Sequence, residues 1–280
     1  MPRGNRRSSR GLPSLVGKFR WDFRNTLRAW RLRPGMKWCF LTVLVGFSGV
    51  AMAAAKDEAS VIFRSGPAQV PLLELFTSEG CSSCPPAERW LGDLRTKPGL
   101  WRDFVPVAWH VDYWDRLGWP DRFASRAYTE RQYAYAASWD SDRVYTPCFV
   151  RAGEEWHPRQ GPLIKENNGT PGDMEIEVRG TQVIVRYEPV HSKSASTRVH
   201  IALLGGGIES PVKRGENRGK RLRHEFLVLG TGSALLLSGE ATLSLPVAAP
   251  DVKIERHGLA AWITEDGAIA PVQATGGWLP

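Results

Sequence analysis

The chain has 280 residues, 42% hydrophobic and 24% charged, the composition of a globular protein with a sizeable core. Its net charge of +8 is concentrated at one end: residues 1–35 carry ten Arg/Lys against one acid, Asp22, and Lys37 adds one more, which leaves −2 for the rest. The body is not basic, so the charge gives no ground for a nucleic-acid partner.

In chain order, the basic stretch leads into "MKWCFLTVLVGFSGVAMAAAKDE". Lys37 is followed by an apolar run from Trp38 to Val50 and by small residues that fit an A-x-A cleavage site at Ala51–Ala53 or Ala53–Ala55. The run is too short for a membrane span of about 20 residues and has the three parts of a secretory signal peptide. Residues 1–55 are therefore read as a basic leader and signal peptide, with the signal near 36–55. An uncleaved anchor is the alternative, and the only membrane association the sequence offers. Of four cysteines, Cys39 lies in this leader. Removal of the leader leaves Cys81, Cys84 and Cys148 in an oxidising compartment, a periplasm or the exterior. The odd count leaves one thiol over, or places it in the chemistry.

"VPLLELF" (70–76) is an apolar run suited to a buried strand. Pro85 and Pro86 sit where the first turn of a helix tolerates them, and "AERWLGDLR" continues that helix. "FVPVAWHV" (104–111) reads as a second buried strand, parallel to the first. The aromatic, charged stretch 112–142 has helical spacing from Phe123 to Ala137. "VYTPCFVRAG" is a third strand interrupted by Pro147, with "EEWH" as its hairpin partner. "KENNGTPGD" (165–173) reads as a turn or linker. The segments "MEIEV", "TQVIVRYEPV", "TRVHIALL", "HEFLVLG", "ATLSLPV" and "LAAWITE" follow, with period-two alternation between turns. "RGENRGKRLRHE" (214–225), the one basic cluster left, reads as a solvated hairpin or a contact for an acidic partner. No phosphate-binding glycine loop, G-x-S-x-G elbow or H-E-x-x-H motif is present.

The chemistry centres on "LFTSEGCSSCPPAERW" (75–90). A cysteine where a strand gives way to a helix, with a second one turn later, is the spacing of a redox pair. Helix N–H groups and the helix dipole favour a thiolate at Cys81, and Cys84 is placed to resolve a mixed disulfide. Structural zinc lacks a second ligand pair. A structural disulfide and a copper site built from Cys81, Cys84 and His110 remain open. His110 or Asp112, at the end of the second strand, could shuttle protons or serve structure. Tyr113, Trp114 and Trp119 could form an apolar rim for a substrate or pack inward.

"LLELFTSEGCSSCPPAE", "WHVDYWDRLGWPDRFAS", "YTERQYAY", "VYTPCFV" and "GENRGK" resemble the bacterial family of secreted proteins called domain of unknown function 1223, over roughly residues 70–230. The resemblance implies a thioredoxin-like fold and thiol–disulfide chemistry without a known substrate. It also implies that Thr146-Pro147 is the cis-proline loop that receives a substrate backbone beside the pair. Cys148, where the family usually carries Gln, would then lie near the pair, either packed inward or as a third reactive thiol.

The expected architecture is α/β: a thioredoxin-like domain at 56–168 with a helical insertion, followed by a mostly antiparallel β-rich module at 169–280. The expected function is thiol–disulfide exchange outside the cytoplasm on protein thiols or disulfides. Cys81 attacks, Cys84 resolves and Pro147 positions the substrate. No cofactor is required, but a redox partner must reset the pair. The alternatives are a thiol-based copper carrier and a non-catalytic binding protein.

Overall fold

The first buried run, Leu72–Thr77 (β2, after an edge strand β1 at Val61–Arg64), is buried at every position. Both of its faces are covered, which is why its sequence is apolar rather than alternating. The computed structural model describes residues 60–159, 161–163, 169–191, 196–247 and 252–280. The segment read as a leader and signal peptide, with Cys39, lies outside the described residues.

From β2 the chain turns into helix α1 (Cys84–Asp93), whose second and third residues are prolines, and returns in β3 (Val105–His110) parallel to β2. A 3-10 segment (Asp112–Leu117) leads to helix α2 (Arg126–Ser138), where the Ser125 hydroxyl accepts from the Ala127 N–H as N-cap. Strand β4 (Cys148–Arg151) pairs antiparallel with β2 and forms a hairpin with β5 (Glu154–Trp156). The rest of the described chain is strands: β6 (Gly172–Arg179), β7 (Gln182–Pro189), β8 (Thr197–Gly206), β9 (Ile208–Pro211), β10 (Arg221–His224), β11 (Leu227–Leu235), β12 (Glu240–Ser244), β13 (Arg256–Glu265) and β14 (Pro271–Trp278).

These strands make an eight-stranded mixed sheet in the order β14-β13-β8-β11-β3-β2-β4-β5, a four-stranded sheet β1-β6-β7-β12 and the two-stranded β9-β10 ribbon. Alternation along the strands decides the layers. Leu73 and Leu75 of β2 face Leu91 of α1 and Leu94 of the 3-10 turn that follows it (Leu94–Thr96), whereas Leu72 and Phe76 share the opposite face with Tyr128 and Tyr135 of α2. On β8 and β13, Val199, Ile201, Leu259, Ala261 and Ile263 pack against Ile176, Val183 and Val185 of the smaller sheet. Glu74, on the α2 face of β2, is fully buried. It accepts from Trp109 Nε1 (2.8 Å), Arg131 Nε (2.6 Å) and Tyr135 OH, so its charge is matched where solvent cannot reach it.

This architecture corrects the expected one. The strand–helix–strand unit at 72–110 and five of the six alternating segments form where the sequence placed them, whereas "HEFLVLG" spans the end of β10, a bend at 225–226 and the start of β11. The whole is nevertheless not a thioredoxin-like α/β domain with a helical insertion. Among the described residues there are fourteen strands, two α-helices and two short 3-10 segments, and mixed sheets dominate. Nor does a boundary near residue 168 divide two modules. Strand β11 pairs parallel with β3, Leu227 opposite Ala108, and the Ala108 N–H donates to the Phe226 carbonyl at 2.8 Å. The described residues thus fall in one compact unit. Periodicity reveals that a segment is a strand, but not which edge it joins. The edge beside β3 is filled from the far half of the chain.

Candidate functional site

Chain geometry between β2 and α1 places the cysteine pair. The Ser78–Cys81 turn is closed by the Cys81 N–H on the Ser78 carbonyl (3.1 Å) and by the Gly80 N–H on Ser78 Oγ (3.1 Å). A Cβ on Gly80 would come within 3.1 Å of Trp114 Cβ, so a larger residue would press on the 3-10 segment packed there. Cys84 is the first residue of α1. The two sulfurs are joined in a disulfide with Cα atoms 5.5 Å apart, and both residues are fully buried while Ser82 and Ser83 between them are exposed. The first turn of α1 has neither a side-chain cap nor an acidic residue of its own, and just ahead of it the Glu216 carboxylate accepts the Ser82 N–H.

Several of the residues singled out from the sequence meet here. The Thr146–Pro147 peptide is cis, and the Thr146 carbonyl oxygen lies 3.8 Å from Cys81 Sγ. Trp114 Nε1 donates to Thr146 Oγ1 at 2.7 Å, and Trp119 Nε1 donates to Glu79 Oε2 at 2.6 Å. Tyr113 donates to Gln132 Oε1 at 3.3 Å. The three aromatics are half-buried, with their polar tips bonded inward, so they do not form an open rim. Asp112 is not at the pair: it accepts from the Thr129 hydroxyl, and its N–H donates back to Thr129 Oγ1 (3.0 Å), which ties the 3-10 segment to α2.

Cys148 pairs opposite Phe76 in the sheet and is buried. Burial pushes its thiol up to about 12, against an ordinary 9.0. That lowers its thiolate fraction at neutral pH about 10³-fold. We expect its labelling by iodoacetamide, read from the mass of the Cys148 peptide, to be slower in the folded protein than in urea by about that factor.

Beneath the pair lies a cluster that the sequence reading left apart. His224 of β10 is buried with Nδ1 2.7 Å from Glu88 Oε2 and Nε2 3.1 Å from Glu79 Oε1. The Thr77 hydroxyl donates to Glu88 Oε1 at 2.6 Å. His110 Nδ1 lies 2.6 Å from Asp121 Oδ2, which also accepts the Glu79 N–H at 2.8 Å. The two imidazoles meet edge to face, centroids 4.9 Å apart. Burial alone would push His224 down, but the Glu88 charge and the hydrogen bonds it donates to both glutamates hold it up at about 10. Burial works against the Glu88 carboxylate, and the facing His224 charge outweighs that and holds it below its ordinary range. Asp121 is likewise held down, to about 2, by His110 against its own burial.

A strap closes the site from the far half of the chain. Asn217 Nδ2 donates to the carbonyls of Glu79 and Cys81, both at 2.8 Å, and the Ser82 N–H donates to Glu216 Oε2 at 3.1 Å. The segment 214–225 is therefore not a solvated hairpin: Asn217, His224 and Glu225 are buried, and only its arginines and neighbouring polar groups face water. Asn217→Ala should lower unfolding stability by about 1–3 kcal/mol, since it removes two hydrogen bonds to main-chain carbonyls in a buried turn; urea denaturation reads this directly.

The family model for proteins of unknown function called DUF1223 matches residues 72–264, a span that contains the pair, the cis-proline, the strap and every member of the buried cluster. The chain belongs to that family. Among solved structures, a crystallised protein of Agrobacterium tumefaciens matches at TM-score 0.54 and 24% identity, over 75% of this chain and 94% of that one. HBP35 of Porphyromonas gingivalis matches at TM-score 0.52 and 12% identity, over 77% of this chain and 76% of that one. At these identities the likeness is one of fold. No curated protein matches the chain.

Proposed function

We propose that the protein is an exported thiol–disulfide oxidoreductase acting on other proteins through Cys81 and Cys84. The observation that carries this reading is a cysteine pair at bonding distance, set at an uncapped helix start beside the Thr146–Pro147 loop. In the reducing direction, the Cys81 thiolate attacks one sulfur of a client disulfide and expels the other as a thiolate. Cys84 then attacks Cys81 Sγ, forms the 81–84 disulfide and releases the second client sulfur. Two electrons pass to the client, which takes up two protons; oxidation of a client dithiol is the same sequence reversed. The pair is buried, so a client reaches Cys81 only when covering chain moves aside. Glu216 and Asn217 are among the contacts that hold this turn in place.

Equilibration of the purified protein in glutathione buffers, with Cys148→Ser in parallel, tests the reading. A reversible two-electron midpoint between about −270 and −120 mV, unchanged by Cys148→Ser, supports it. A pair that stays oxidised throughout and transfers nothing to a client dithiol rejects it. The copper reading gains no support: the two sulfurs are joined to each other, and the metal-ligand group among the described residues contains neither cysteine.

A further inference from the structure

We propose that Glu88, His110 and His224 form a buried binding site for a divalent transition-metal ion, with zinc as the reference case, next to the cysteine pair but independent of its sulfurs. Each of the three residues places one donor atom within 4.8 Å of the other two. A second observation is independent of that spacing: His110 Nε2 is buried and has no hydrogen-bond partner among the described residues. A buried ring nitrogen with nothing to bond is costly, and here it belongs to one of the three candidate ligands.

The surroundings are those of a ligand set. A metal-bound imidazole commonly gives its other nitrogen to a carboxylate, which fixes the ring. His110 has Asp121 on Nδ1 at 2.6 Å, which leaves Nε2 for an ion. His224 has Glu79 on Nε2 at 3.1 Å, which leaves Nδ1. Glu88 has Thr77 on Oε1 at 2.6 Å, which leaves Oε2. Every candidate ligand thus keeps one atom free of its backing partner. The His224 Nδ1–Glu88 Oε2 contact, now 2.7 Å, is the one an ion would enter. Three buried carboxylates also face this point, and a divalent ion would take over the charge balance from the imidazole protons it displaces. Two nitrogens and one carboxylate oxygen suit zinc and its neighbours better than calcium or magnesium, which prefer all-oxygen shells. Bond lengths of about 2.0–2.2 Å put tetrahedral donors roughly 3.3–3.6 Å apart, so the His224–Glu88 contact must open while the wider separations close by on the order of 1 Å. The missing fourth ligand would be a water or a further carboxylate oxygen.

The test uses the full chain with its Cys81–Cys84 disulfide intact, so that this pair cannot ligate. Chelator-treated protein is titrated with zinc against a chromophoric competitor. The expected result is one ion per chain, with affinity lowered at least ~100-fold by His110→Ala and ~10–100-fold by Asp121→Asn. Circular dichroism of each variant separates lost ligation from lost fold. X-ray absorption at the zinc edge of the wild-type complex gives a readout that needs no variant, and two imidazoles with no sulfur are expected. Absence of stoichiometric zinc at micromolar concentrations, undiminished binding in folded His110→Ala, or a sulfur-containing shell would each overturn the proposal.

Discussion

Glu88→Ala is expected to destabilise the metal-free protein by about 3–5 kcal/mol, the cost of stripping a buried charge of its partner. His224 sits between Glu88 and Glu79 with no access to water. Loss of Glu88 removes the closer contact and leaves the Thr77 hydroxyl without its acceptor. Equilibrium urea unfolding of chelator-treated protein measures the effect. It should also depend on pH. His224 titrates near about 10 in the folded chain, against an ordinary 6.5, so the unfolded state holds fewer protons between those values. The stability it contributes is complete below about 6.5 and is lost progressively as the pH rises toward about 10. The wild-type advantage over Glu88→Ala should therefore be largest near neutrality and shrink in alkali. An unchanged gap at both ends of that range would mean that the His224–Glu88 pair is not ionised as described.

The second large effect concerns the thiols. Cys81→Ser should reduce exchange with a disulfide-containing reporter peptide on the order of 10³-fold or more, since no other thiolate is placed to attack. Cys84→Ser should act differently. The first attack still occurs, but the covalent intermediate cannot be resolved, so up to one reporter per chain stays attached and is visible by mass on a non-reducing gel. If the two variants exchanged roles, with the adduct on Cys84, the order of attack would be reversed. Cys148→Ser should leave both the rate and the adduct unchanged, because its thiol is held protonated inside the sheet.

The local part of this site was legible in the sequence. The buried run at 72–77, the prolines that open α1 and the Cys-x-x-Cys between them follow from near neighbours, and the structure places all three together. Two further signals stand in the sequence. Glu88 lies four residues after Cys84 and three before Leu91, so helical spacing puts an acid on the buried face of α1. In "RLRH" the arginines and the Leu–His pair alternate, so a period-two reading puts His224 inward beside Leu222. What no local pattern could supply is the meeting of His224 with Glu79 and Glu88 across more than 130 residues, or the choice of β11 as the neighbour of β3. The expected two-module architecture failed for the same reason: each segment was read for what it forms, whereas the sheet is decided by which segments find each other.

The insertion of β11 beside β3 has a consequence for how this protein can be cut and inherited. A chain ending after β5 would carry both cysteines and the cis-proline. It would also present β3 as a bare edge, with the Ala108 N–H and its neighbours open to pairing with any other strand. It would lack Asn217 over the Cys81 turn and His224 between the two glutamates. Such a fragment is an aggregation hazard rather than a minimal enzyme. The first half is therefore not portable: gene fusions, truncations or recombination events that separate residues 60–160 from 208–235 should yield insoluble chains. The site can be completed only after synthesis has passed β11, with its longest-range contacts among the last to become available.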